Sequence, residues 1–151
     1  KIYLALGVGK LAQDKAHVKL PLFKYTGAQG EKMVRVSEEG QSAYTILRVL
    51  KRFSGSQLHQ VGVSDLTLIE ATLKTGRTHQ IRVHMQAQDC PIGGDERYGD
   101  YQANRRLQKL GLKRMFLHAS ELHLQHPLNG EPLKLLAPLP AELQNMVDSL
   151  N

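Results

Sequence analysis

The segment "LKTGRTHQIRVH", Leu73 to His84, sets Lys74, Arg77 and Arg82 beside His79 and His84 within one turn and one short helix. Cations this close repel one another unless an anion sits among them. By composition alone the segment reads as a solvated basic face. The local pattern points elsewhere: a strand breaks at Thr75-Gly76, Thr78 is a suitable N-cap, and a helix start adds the partial positive charge of its free amides. Ile81 and Met85 are four apart and form an apolar seam, which leaves Arg82 at the margin of the core. A half-buried guanidinium needs a carboxylate or phosphate partner, because an unpaired buried charge costs several kcal/mol. The pattern therefore predicts a specific anion site.

Other chemistry-bearing residues make weaker patterns. His118, His123 and His126 lie near one another, but on a strand His118 and His126 point one way and His123 the other. They lack the HExxH and zinc-finger spacings, and Cys90 has no second cysteine, so a metal-dependent nuclease or hydrolase is disfavoured and no metal is expected. "GVGK" completes neither nucleotide-loop pattern, and no GxSxG elbow is present. Cys90 precedes Pro91 with no evident base, which makes it a poor nucleophile. "GGDERYGD" could pair carboxylates for acid–base work, yet its glycines read first as a rigid loop.

These groups must be held by a framework, and the periodicities outline one. Strands are expected over "KIYLAL", over "AHVKLPLFKY" as one extended piece that Pro21 demotes to an edge, over "KMVRVS" and "LTLIEATLKT", and over "AYTILRVLKRF", whose leucines also suit a helix. "SGSQLHQVGVSD" reads as a loop. Helices are expected over "HQIRVHMQAQ" and over "YQANRRLQKLGL", the latter closed by Gly111. "RMFLHASELHLQH", "PLNGEP" and "LKLLAP" form a hairpin, and "PAELQNMVDSL" is a terminal helix with Leu143, Met146, Val147 and Leu150 on one face. The class is α+β, a mixed, largely antiparallel sheet with a few flanking helices. All 151 residues form one domain, long enough to bury roughly 70% of the unfolded surface. A net charge of +6 suits a polyanionic partner, nucleic acid first. A single cysteine favours a reducing compartment such as the cytoplasm, and no apolar run approaches the ~18 residues of a spanning helix, so no membrane partner is expected.

Taken together, "KIYLAL", "RVSEEGQSA", "LKTGRTHQIRVHMQ", "PIGGDERYGD" and "RMFLHASELHLQHPLNGE" resemble, in order, the RluA/RluC/RluD-type pseudouridine synthases. "GRTHQIR" with a downstream "FLHA…HP" is the most specific part, and "RVSEEGQSA" looks most like the RluC branch, which acts on large-subunit ribosomal RNA. The resemblance implies an RNA uridine isomerase working as a monomer without metal or organic cofactor. An aspartate detaches uracil from its sugar carbon, the base turns, and it is rejoined through a ring carbon. It implies that Tyr3 lies against the target base and that Arg82 pairs with the catalytic aspartate, keeping it ionised. Ile81 or Leu117 would pack around the uracil. Lys74, Arg77, His79, Arg97, Arg105 and Arg106 would contact phosphates, and the target nucleotide would flip out of its stack.

One departure matters. The family's aspartate belongs to an "HRLD" motif just before the tyrosine strand, and these residues contain no such motif. Asp14, Asp65, Asp89, Asp95, Asp100 and Asp148 all stand in other contexts. With Lys1 opening directly into a strand, the expectation is the C-terminal part of a catalytic domain, without the HRLD segment or the family's N-terminal RNA-binding domain. Such a piece would be inactive alone, with Arg82 lacking its carboxylate. The alternative is a non-catalytic RNA-binding module on the same scaffold.

Overall fold

Neighbouring residues of the first strand serve two different cores. A computed structural model describes residues 1–150. Strand β1 (Ile2–Val8) lies between β6 (Leu66–Leu73) and β7 (Leu117–Gln125). Outside these lie β5 (Thr45–Phe53) then β2 (Lys15–Val18) on one side, and β8 (Pro132–Leu136) on the other. Every pairing in this six-stranded sheet is antiparallel. Successive side chains alternate between faces. Leu6 and Leu66 therefore face one cluster, with α1 (Ser56–Gln60), α3 (Tyr101–Gln108) and α4 (Ala141–Ser149) supplying Leu58, Leu107 and Leu143. Ala5, Ile69 and Ala71 face the other, completed by Ile81 and Met85 of α2 (Gln80–Ala87). The expected α+β class with an antiparallel sheet and few helices is what forms. None of the described helices is long and apolar enough to cross a membrane.

Three local expectations are corrected. The single extended piece over "AHVKLPLFKY" is two strands in two sheets. Strand β2 ends at Val18, and past Pro21, which has no N–H for a ladder, the chain forms β3 (Leu22–Thr26), which pairs with β4 (Lys32–Val36) in a separate two-stranded sheet. The supposed loop after Phe53 contains α1, whose one buried residue, Leu58, fills the first core; a single apolar position carries no period to read.

The third correction concerns the start of α2. Thr78 does not cap it: His79 occupies the cap position in a left-handed conformation, φ 54°, with no side-chain cap. The turn is held instead by Gln80, whose Oε1 accepts from the Arg77 amide at 2.9 Å and the Thr75 hydroxyl at 2.8 Å. Its Nε2 donates to Thr45 Oγ1, and the Thr45 hydroxyl donates to Nδ1 of the fully buried His84 at 2.7 Å. His84 Nε2 completes the set by donating to the Leu20 carbonyl at 2.8 Å. Every member has a partner, as buried polar groups require.

Candidate active site

Arg82 does have a carboxylate, and it comes from this chain. Its Nε donates to Asp95 Oδ2 at 2.9 Å and its Nη2 to Asp95 Oδ1 at 2.8 Å, a side-on fork with the carboxylate side chain 0% exposed and the arginine 16%. The expectation of an unpartnered Arg82 is thus overturned: the "GGDERYGD" loop supplies the partner. Asp95 is committed to that task. Oδ1 also accepts from the amides of Arg97 and Tyr98. Burial by itself would push this carboxyl up. The hydrogen bonds from Arg82, Tyr98 and Arg97, with the guanidinium charge, outweigh it and hold the carboxyl below its ordinary value. The Asp95 hydrogen bond likewise raises Arg82 against the opposing effect of burial.

The loop around Asp95 is rigid by construction. Asn104 of α3 accepts from the Gly94 amide and donates to the Asp95 carbonyl. A Cβ on Gly94, at φ +83°, would lie 2.2 Å from the Arg114 carbonyl, and one on Gly99 would lie 2.3 Å from that of Asp95; only glycine fits either position. Asp100 then caps α3 through the Ala103 amide. Of the two readings of this loop the rigid one holds, with Asp95 and Asp100 as anchors.

Tyr98 covers the guanidinium face, its ring centre 4.9 Å from Arg82 Cζ. Its hydroxyl accepts from the Val34 amide and donates to His79 Nδ1 at 2.7 Å. Burial, then the charges of Arg82 and Arg97, lower the His79 pKa, so at neutral pH this ring is a neutral hydrogen-bonding group. Clamped on one edge and stacked on one face, Arg82 keeps Nη1 without a hydrogen bond among the described residues. It opens onto a cavity of about 290 Å³ shared with Gly94, Arg97, Asn104, Arg114 and Met115.

Met115 also packs against the apolar cluster that contains Ile81 and is flanked by Tyr3 and Leu117. The residues named for the base thus share one cluster bordering the Arg82 cavity. Ile81 is only 4% exposed and belongs to the core, whereas Tyr3 and Leu117 keep some exposure. The named cations are dispersed. Arg97 lines the Arg82 cavity; Arg77 lines a second cleft near β3; Arg105 and Arg106 sit on an outer face of α3 with Lys109; Lys74 is exposed at the end of β6. Sequence reasoning missed Asp95 and Tyr98 as the holders of Arg82, and Lys113 and Arg114 on the same cavity. The available signal was a glycine-bracketed aspartate thirteen positions after Arg82.

The remaining candidates are occupied elsewhere. His118 donates to the Ala137 carbonyl, His123 pairs with Glu121, and His126 accepts from the Leu128 amide. Among the described residues no three His, Cys, Asp or Glu are placed to hold a metal ion. Burial pushes the Cys90 thiol up to about 11, against a hydrogen bond with Thr67, which leaves it protonated and unreactive.

A family model described as RNA pseudouridylate synthase matches residues 1–87. The chain is 41% identical over 150 residues to ribosomal large subunit pseudouridine synthase C of Pasteurella multocida, covering 99% of this chain and 43% of that protein. It is 39% identical over 152 residues to the protein of the same name from Escherichia coli K12, covering 99% of this chain and 44% of that one. The chain thus spans less than half the length of these relatives. Among solved structures, human RNA pseudouridylate synthase domain containing 1 superposes with a TM-score of 0.72 at 26% identity, over 92% of this chain and 54% of the other. The matched residues include Tyr3, the glycine turn and the clamped Arg82, and on that match the chain belongs to the RNA pseudouridylate synthase family.

Proposed function

We propose that the protein containing this chain isomerises uridine to pseudouridine in large-subunit ribosomal RNA, with these residues forming the C-terminal part of its catalytic domain. The observation that carries the reading is the half-engaged guanidinium. A side-on fork with Asp95 uses the Nε proton and one Nη2 proton, so the end-on edge, formed by Nη1 and the second Nη2 proton, remains available. A second carboxylate, the aspartate of an HRLD motif outside these residues, meets that edge ionised and aimed. Tyr3 lies against the uracil, with Leu117 and the core residue Ile81 packing around it. Lys74, Arg77, His79, Arg97, Arg105 and Arg106 serve the RNA phosphates, His79 as a neutral donor through Nε2. The chemistry calls on no metal or organic cofactor, and the enzyme acts as a monomer in the cytoplasm, where its ribosomal RNA partner is made.

The test uses the complete gene product and transcripts of large-subunit ribosomal RNA, with pseudouridine as the readout. Arg82→Lys keeps the charge but loses both the fork and the stacked plane. It is expected to lower turnover by about 100-fold, the scale of a misplaced catalytic contact. Wild-type protein that binds RNA and makes no pseudouridine would leave the binding-module alternative standing. Full turnover in Arg82→Lys would discard the proposed carboxylate pairing.

A further inference from the structure

The β3–β4 hairpin has no place in the six-stranded sheet, and the backbone of β4 touches the Arg82 site through the Val34 amide and the Lys32 carbonyl. It docks through Leu22 and Val34 onto Val83, Ala43 and Tyr98, the residue stacked on Arg82. At its base lies a cleft of about 390 Å³, walled by β3, by the Glu39–Gln41 turn and by the Gly76–Thr78 turn. The walls are fixed. Leu22 and Gln41 exchange both backbone hydrogen bonds, and a Cβ on Gly40 would lie 2.3 Å from the Leu22 backbone. Two cations reach the cleft from different elements. Lys24 is exposed and has no partner among the described residues. Arg77 donates through Nε to the Ser42 carbonyl at 2.9 Å, which orients its guanidinium. Glu39 is the one carboxylate in the lining, and a Cβ on Gly76 would meet no atom within 4 Å, so the floor there is open. On the opposite face of the hairpin Arg35 stacks over Phe23 at 4.9 Å, and Tyr25 follows two residues along, 39% exposed.

One oriented and one free cation in a polar cleft on one face of the hairpin, with an exposed aromatic and a stacked arginine on the other, make the combination that binds single-stranded nucleic acid, in which the backbone is tracked by charge and bases rest on rings. We propose that the cleft and hairpin hold a single-stranded segment of the RNA flanking the target nucleotide, which crosses the outer edge of β3 beyond Leu22 with a phosphate between Lys24 and Arg77 on one face and a base against Tyr25 on the other. The inference rests on the reading of this protein as an RNA-modifying enzyme and adds a second anchoring point to it. Its position suits the task, because the Val34 amide and the Lys32 carbonyl, both on β4, are hydrogen-bonded to Tyr98 and Arg97 of the Arg82 loop.

The experiment measures affinity of the complete gene product for a short oligouridylate across a salt series, with pseudouridine formation in ribosomal transcripts followed in parallel. Lys24→Ala removes one cation and should weaken binding roughly 5-fold, the scale of one net hydrogen bond. It should also reduce the steepness of log K against log salt by about 0.7, one single-strand phosphate contact. Gly76→Leu fills the open floor without touching a charge and should weaken binding while leaving the salt slope intact. Lys134→Ala, on β8 remote from the cleft, controls for net charge. Affinities and slopes in both cleft variants equal to those of the Lys134 control would overturn the proposal. If the cleft variants bind weakly while the wild type forms no pseudouridine, the surface stands and the enzyme reading falls instead.

Discussion

Helices α2 and α3 are both eight residues long, both carry arginine, and both look in sequence like basic amphipathic segments. Their arginines have opposite fates. Helix α2 buries Gln80, Ile81, Val83, His84 and Met85, so Arg82 is drawn to the core margin, where solvent cannot neutralise it and Asp95 must. Helix α3 buries only Ala103 and Leu107. Arg105 reaches the Tyr101 hydroxyl and Arg106 the Gly62 carbonyl, both from exposed positions. A guanidinium in water gives little to stability and stays available to any polyanion. One enclosed with a carboxylate is immobilised and can present a chosen edge. The local number of cations does not separate the two cases; the apolar residues beside them do.

The largest effect should come from breaking the enclosed pair on one side only. Arg82→Ala leaves the Asp95 carboxylate buried with only two backbone amides, and should cost about 3 kcal/mol, seen as a lower urea midpoint. Arg82→Met combined with Asp95→Asn removes both charges, retains the acceptor for the amides of Arg97 and Tyr98, and should recover most of that loss. If Arg82→Ala proves no more damaging than Arg105→Ala, the contrast between the helices fails. The same consideration explains why Arg82→Lys is the better probe of catalysis, since it does not strand the carboxylate.

A second effect separates the helices by pH. His84 lies fully buried between Thr45 and Leu20, and burial, partly offset by the hydrogen bond to Leu20, puts its folded pKa below 6.5. Above 6.5 the ring is neutral folded or unfolded. As pH falls below 6.5 the unfolded chain takes up a proton that the folded chain refuses, so stability declines until the lower folded pKa is reached. His79 acts in the same direction. Unfolding free energy should therefore drop as pH falls through and below the ordinary histidine value of 6.5, by at most ~1.4 kcal/mol per pH unit for each histidine. The His84→Gln variant should show a shallower dependence. A wild-type profile that is flat across that window would mean that this network tolerates the charged ring.

How much of this was legible before the structure depended on how local its causes were. Strand alternation, the Ile81–Met85 seam and the marginal position of Arg82 follow from periodicity within a few residues, and all three hold. The need for a carboxylate beside Arg82 was also legible, as a cost of burial. Its source was not, because Asp95 arrives through a loop whose shape depends on Gly94, Gly99 and Asn104 fitting against other elements. The α2 start was misread for a similar reason. Thr78 has the right chemistry for a cap, but Gln80 serves strand β5 as well as its own turn, and such a bond across 35 positions leaves no trace in a local pattern. Pro21 reads in sequence as demoting one strand to an edge, whereas it lies between two strands of different sheets; which sheet received the chain afterwards was fixed by Val34, Val83 and Tyr98 packing together.

The smallest structural effect, and the sharpest functional complement, belongs to α3. Arg105→Ala with Arg106→Ala removes two exposed charges and no buried contact, so the urea midpoint should stay where it is. RNA affinity should nevertheless fall, and the salt slope should flatten by about 0.7 for each arginine that meets a single-strand phosphate. Because these side chains lie on a different face of α3 from Asn104, which pins the Asp95 loop, turnover at saturating RNA should be spared. An unchanged slope would take α3 off the RNA path and leave the +6 charge to be explained by the cleft at Lys24 and Arg77 and the cavity at Arg82. A fall in turnover with affinity intact would mean that the two helices are coupled through Asn104 more tightly than their separate surfaces suggest.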